Sequence, residues 1–124
     1  MKRSIILTLT ALSLGTAFPA MAACTDPASI EVDWEGCNLK DVNLSELDLT
    51  GANMTGANLA RARLTGANLT GARLAHARLN DANLTGANLT GATLSRARLN
   101  DANLNGVTWT DGRICAAGSV GTCD

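Results

Sequence analysis

The sequence predicts an all-β chain wound into a four-sided parallel β-helix, a solenoid of about 3.75 coils with capped ends. Three observations predict it. Leucine or a large substitute recurs at every fifth residue from Leu39 to Trp109, fifteen consecutive units in all. Two places before each stands a small or apolar residue: Cys37, Val42 and Leu47, then alanine from Ala52 to Ala102, then Val107. Finally, residues 67–86 (ANLTGARLAHARLNDANLTG) nearly repeat as residues 87–106 (ANLTGATLSRARLNDANLNG), so one turn is twenty residues, or four units.

A period of five fits neither the 3.6 of a helix nor the 2.0 of a long strand. Within one unit, the small residue and the Leu are two apart and share a face of a short extended segment. The other three positions are polar or Gly and suit an outward face and a corner. Segments and corners in alternation wind the chain around its Ala and Leu columns, with successive turns stacked about 4.8 Å apart as parallel strands.

The elements follow in chain order. Residues 1–23 carry Lys2 and Arg3, an apolar run from Ile5 to Ala17, then Pro19 and the small-residue site Ala20-Met21-Ala22. This is the pattern of a secretory signal peptide cleaved near Ala22 or Ala23, and the run is too short to span a membrane. The mature chain carries no transmembrane segment. The expected location is periplasmic or secreted; a lipoprotein modified at Cys24 is the alternative, against which Met21 is a poor first residue for a lipobox. Residues 24–36 form an N-terminal cap, with Ile30, Val32 and Trp34 as its lid.

Residues 37–111 form the repeat coil. Gly closes seven of its units and supplies the positive φ that a type II turn needs. Arg61, His76 and Arg96 stand at the same position and are expected to use a different turn. Equivalent asparagines such as Asn83 and Asn103 should stack and exchange amide hydrogen bonds. Residues 112–124 form a C-terminal cysteine-containing cap that would cover the apolar end of the coil and its unpaired backbone groups.

Export places the four cysteines in an oxidising compartment, where three connectivities are open. Cys37 begins the coil and Cys115 follows it, about 18 Å away along the stack, well beyond the roughly 4.4–6.8 Å that a disulfide allows between Cα atoms. Local pairs, Cys24–Cys37 and Cys115–Cys123, are therefore favoured, one at each cap.

The fifteen units of residues 37–111 resemble the pentapeptide-repeat family. The resemblance implies a right-handed, quadrilateral β-helix with the Leu and small-residue columns inside. Departures are modest: CNLKD, VNLSE and LDLTG carry bulkier residues than Ala at the small position, and Trp109 is larger than the usual Leu or Phe. The Trp109-Thr110-Asp111-Gly112-Arg113 tail with its two cysteines is similar to tails on other exported members, a likeness that assigns no activity.

Composition excludes several functions. His76 is the one histidine, and no nucleophile–base pair, metal site or cofactor motif accompanies it, so the chain is expected to be no enzyme. Trp34 and Trp109 are the only aromatics beyond the leader, too few for a stacking platform, and no nucleic-acid partner is expected. Without Lys2 and Arg3, 8 basic and 11 acidic side chains remain, a net charge of −3. Their distribution is uneven. Seven acids and only Lys40 fall in residues 26–48, whereas residues 50–110 hold six arginines and two acids.

In the twenty-residue register Arg78 stacks on Arg98 and His76 on Arg96, with Arg61, Asp81 and Asp101 in a neighbouring Arg–Asp ladder. His76, Arg78, Arg96 and Arg98 thus form a candidate anion-binding edge. The expected function is that of a non-enzymatic exported structural or binding module of the bacterial envelope. Its partner would be an anionic envelope component or protein. DNA mimicry against a topoisomerase, known in the family, is the alternative; the export signal and the arginine-rich coil oppose it.

Overall fold

The computed structural model describes residues 24–124; the leader expected over residues 1–23 lies outside them. Twelve parallel β-bridges join residues twenty apart, from Asp33↔Asn53 through Arg78↔Arg98 to Asn88↔Thr108. That spacing stacks each five-residue unit on the unit four before it and makes the coil four-sided. Each side is very short. The Leu79 N–H donates to the Arg98 carbonyl at 2.7 Å and the Arg98 N–H to the Ala77 carbonyl at 2.9 Å, and the chain then turns.

The two inward columns form the core. Every Leu-position side chain from Leu49 to Leu89, and every alanine of the small-residue column from Ala52 to Ala87, is fully buried. Burial of each leucine stabilises the coil by about 1.5–3 kcal/mol. A small residue suits the second column because four sides of only five residues leave little interior width, although Cys37, Leu47 and Val107 are also buried in it.

The corners are uniform, contrary to expectation. Arg61, His76 and Arg96 have φ of 58°, 60° and 57°, close to the 64–70° of the eight corner glycines from Gly36 to Gly106. The turn bond is also shared: Ala62 N–H to the Leu59 carbonyl, 3.0 Å, and Ala77 N–H to the Leu74 carbonyl, 3.0 Å. Stacking explains the uniformity. The His76 N–H donates to the Ser95 carbonyl of the next coil at 2.9 Å; at Arg96, whose own N–H meets no further coil among the described residues, the same bond holds the preceding carbonyl in place, so another turn type at either corner would break the ladder. The left-handed conformation costs a non-Gly residue roughly 1–2 kcal/mol.

The asparagines also differ from expectation. Asn83 and Asn103 bridge through their backbones, but each Oδ1 accepts a bond two residues on: from the Thr85 N–H (3.1 Å) and hydroxyl (2.7 Å), and from the Asn105 N–H (3.0 Å). Asn and Asp favour such local turns. They pre-shape the approach to each corner, which accounts for Thr in the A-N-L-T-G units.

Both ends depart from the simple cap. Asp33 already pairs with Asn53, and Val32 and Trp34 are buried in the two inward columns, so residues 32–36 join the ladder as a further unit. Their offset from Cys37 is one period, but the sequence VDWEG has neither Ala nor Leu to reveal it. Ile30, expected in the lid, is 38% exposed. The lid contribution comes from Ala28 and from the Asp26 carbonyl, which accepts the Trp34 indole N–H at 3.2 Å. At the other end the tail folds back antiparallel, with bridges Thr108↔Ile114 and Asn103↔Val120. Cys24 and Cys37 lie at bonding distance with Cα atoms 5.4 Å apart, as do Cys115 and Cys123 at 4.8 Å. Among the described residues no helix is long and apolar enough to cross a membrane.

Candidate anion-binding edge

The coil register builds the edge from two adjacent turns. Arg78 and Arg98 occupy the outward position of one side, where most units carry the turn-forming Asn, and their backbones are bridged. An arginine cannot accept the local N–H, so its guanidinium extends into solvent. His76 and Arg96 occupy the corner that leads into this side, one above the other, and positive φ projects both outward. These four residues alone line a polar cleft of about 420 Å³. All four are exposed.

Among the described residues the ion pairs are Arg61–Asp41 and Arg113–Asp111, so none of the three arginines of the edge has a carboxylate partner. Guanidinium groups in an unneutralised array offer paired N–H donors that fit phosphate or carboxylate in two contacts. The cleft is open to solvent and lined by three guanidinium groups and one imidazole, groups that can hold an anion. Among the described residues no group of three or more His, Cys, Asp or Glu could hold a metal ion.

The ladder expected beside the edge takes a different form. Arg61 pairs downward with Asp41, Nε to Oδ1 at 2.7 Å and Nη2 to Oδ2 at 2.9 Å, rather than upward with Asp81. The hydrogen bond from Arg61 holds the Asp41 carboxyl below its usual pKa, and the reciprocal bond raises that of Arg61. Sequence reasoning missed this partner although Asp41 stands twenty residues before Arg61, in the same corner column. Asp81 and Asp101 therefore remain outside that pair and mark the acidic border of the basic side. A second, apolar cleft of about 790 Å³ lies at the opposite end, between residues 24–28 and Trp34, Leu39, Val42 and Leu44.

Comparison with known proteins places the chain in a family. The family model "Pentapeptide repeats" matches residues 37–74 and 67–106, in eight copies. No curated protein matches the chain. Among solved structures, a pentapeptide repeat protein from the Arabidopsis thaliana thylakoid lumen is 26% identical over 75% of this chain and 74% of its own, with a TM-score of 0.52. HetL, a pentapeptide repeat protein of the cyanobacterium Nostoc involved in heterocyst differentiation regulation, is 39% identical over 68% of this chain, with a TM-score of 0.42. The chain spans 41% of the length of HetL. Such proteins fold as right-handed quadrilateral β-helices and are in general structural rather than enzymatic. With eight repeat copies matched across residues 37–106, the chain belongs to the pentapeptide repeat family.

Proposed function

We propose that this chain is a non-enzymatic, exported binding module of the bacterial envelope, and that its basic edge takes an anionic partner. One observation carries the reading: His76, Arg78, Arg96 and Arg98 line a single cleft, and among the described residues no carboxylate pairs with its arginines. Like charges one coil apart repel, and the corner positions of His76 and Arg96 would be less strained as Gly. The same positive φ recurs at Glu31, Asp41, Glu46, Arg61, Asp81 and Asp101, so it is the uncompensated charge, and not the backbone strain, that supports an anion site here. Export is supported by the leader of residues 1–23 and by the two cysteine pairs at bonding distance. The coil of about 3.75 turns reckoned from Cys37 becomes about four with the Trp34 unit, each end fastened by a local cysteine pair.

The test begins with cell fractionation, where a periplasmic or secreted mature chain is expected and a cytoplasmic one contradicts export. Mature protein is then used to capture anionic components from the envelope fraction. Capture is expected to fall steeply between low and high salt, because exposed charges are screened. It should vanish for the double variant Arg78→Ala/Arg98→Ala. Retention of every interaction by that variant would reduce the arginines to a solvated face.

A further inference from the structure

The basic edge borders an unfinished sheet. Each unit offers the next coil two N–H groups, from the Leu and corner positions, and one carbonyl, from the small-residue position; in the penultimate coil these are Leu79, Asp81 and Ala77. In the last coil the tail takes up this role over two of the four sides. Leu104 N–H donates to the Ser119 carbonyl (2.9 Å), Gly106 N–H to the Cys115 carbonyl (3.1 Å) and Trp109 N–H to the Arg113 carbonyl (2.7 Å), while Gly121 N–H donates back to the Ala102 carbonyl (2.9 Å).

The other two sides have no such cover. Among the described residues, the N–H groups of Leu94, Arg96 and Leu99 and the carbonyls of Ala92 and Ala97 have no backbone partner. The core is open at the same place. Leu94 and Leu99 are only partly buried, where every leucine from Leu49 to Leu89 is fully buried. Arg96 and Arg98 stand on this very edge.

The geometry points to a peptide-docking edge: residues 92–99 accept a short acidic segment of a partner protein, paired antiparallel to each of the two open sides in turn and bent over the corner at Arg96. The tail shows that this rim takes an antiparallel strand, since Val120 and Ile114 already sit so on the neighbouring sides. Charge selects the occupant. Outward side chains of the added strand lie beside Arg96 and Arg98, with Arg78 and His76 one coil below, and must be acidic to be held there. Inward side chains lie over Leu94 and Leu99 and must be apolar. Main-chain bonds supply affinity and the alternating side chains supply specificity, as in other strand additions to a sheet edge. This proposal rests on the anion-binding reading of the same four residues and narrows it to one chemistry.

The test uses the mature chain and a fluorescent seven-residue peptide, Asp-Leu-Asp-Gly-Asp-Leu-Asp. Binding is expected, with at least tenfold loss in Arg98→Ala and at least tenfold loss when the peptide amides are N-methylated. N-methylation keeps the charge and removes the strand pairing. Inorganic polyphosphate serves as the second probe. If polyphosphate binds and the peptide does not, or if the N-methylated peptide binds equally well, the edge proposal is overturned and the anion site stands. If neither probe binds, both fail. Sedimentation of the free chain closes the remaining route: self-association lost in Arg98→Ala would make a second copy the occupant and overturn the partner assignment.

Discussion

At the residue scale the inward leucines and the corner residues carry opposite loads. Leu79 is fully buried with Ala77 and Ala82 beside it in sequence, also fully buried. Leu79→Ala should lower the unfolding free energy by about 2–5 kcal/mol in denaturant titration, and Leu79→Asp should prevent folding because it buries a lone charge. His76 holds φ of 60° at a position where Gly serves elsewhere. His76→Gly is expected to stabilise by about 0.5 kcal/mol, the relief of left-handed strain less the added freedom of the unfolded chain. A loss of stability above 1 kcal/mol in the same titration would mean that the imidazole makes contacts of its own.

The Arg61–Asp41 pair gives a pH signature. The Asp41 pKa is depressed in the folded state, so the pair contributes stability above the unfolded value near 3.8, and this is lost as pH falls through the lower folded pKa. In Arg61→Ala the Asp41 carboxyl, followed by NMR, should titrate at higher pH than in the parent. The inward columns were legible in the sequence because Leu and Ala repeat without a break from Ala57 to Leu94. The corner turns at Arg61, His76 and Arg96 were not. Residue preference argued for another turn, and the stacking ladder, a property of the coil and not of the residue, overrode it.

At the element scale the two ends are built differently. The tail works as a strand that pairs with two sides of the last coil and is fastened by Cys115 and Cys123. Its antiparallel course was not legible, because the five-residue period stops at Asp111 and nothing in GRICAAGSVGTCD states a direction. Ending the chain after Asp111 would expose the whole upper rim. Concentration-dependent association is the expected result in sedimentation, as for any open sheet edge; a monomer at all concentrations would show that the tail is dispensable as a cover. Peptide mapping without reduction should return Cys24–Cys37 and Cys115–Cys123. A Cys37–Cys115 peptide, or lipid on Cys24, would contradict the pairing. Cys115→Ser/Cys123→Ser should lower stability by about 2–3 kcal/mol, the loss for a short cross-linked loop.

At the scale of the whole molecule the chain is an electrostatically divided rod. Acids concentrate in residues 26–48 at one end, and arginines in residues 61–98 of the coil. The basic edge was legible because the twenty-residue repeat alone fixes which side chains stack. The open rim beside it was not, since a missing strand leaves no mark on a periodic sequence. Binding of polyanions to such a surface should weaken steeply with ionic strength.

The most direct test of the edge is a backbone amide NMR titration of the mature chain with inorganic polyphosphate. Segments 75–79 and 95–99 are twenty residues apart in sequence and adjacent only if the coil stacks as described. Their amide signals are expected to shift together, with one common binding curve, and to stay still in Arg78→Ala/Arg98→Ala. Shifts confined to one of the two segments, or centred elsewhere on the rod, would contradict the four-residue edge.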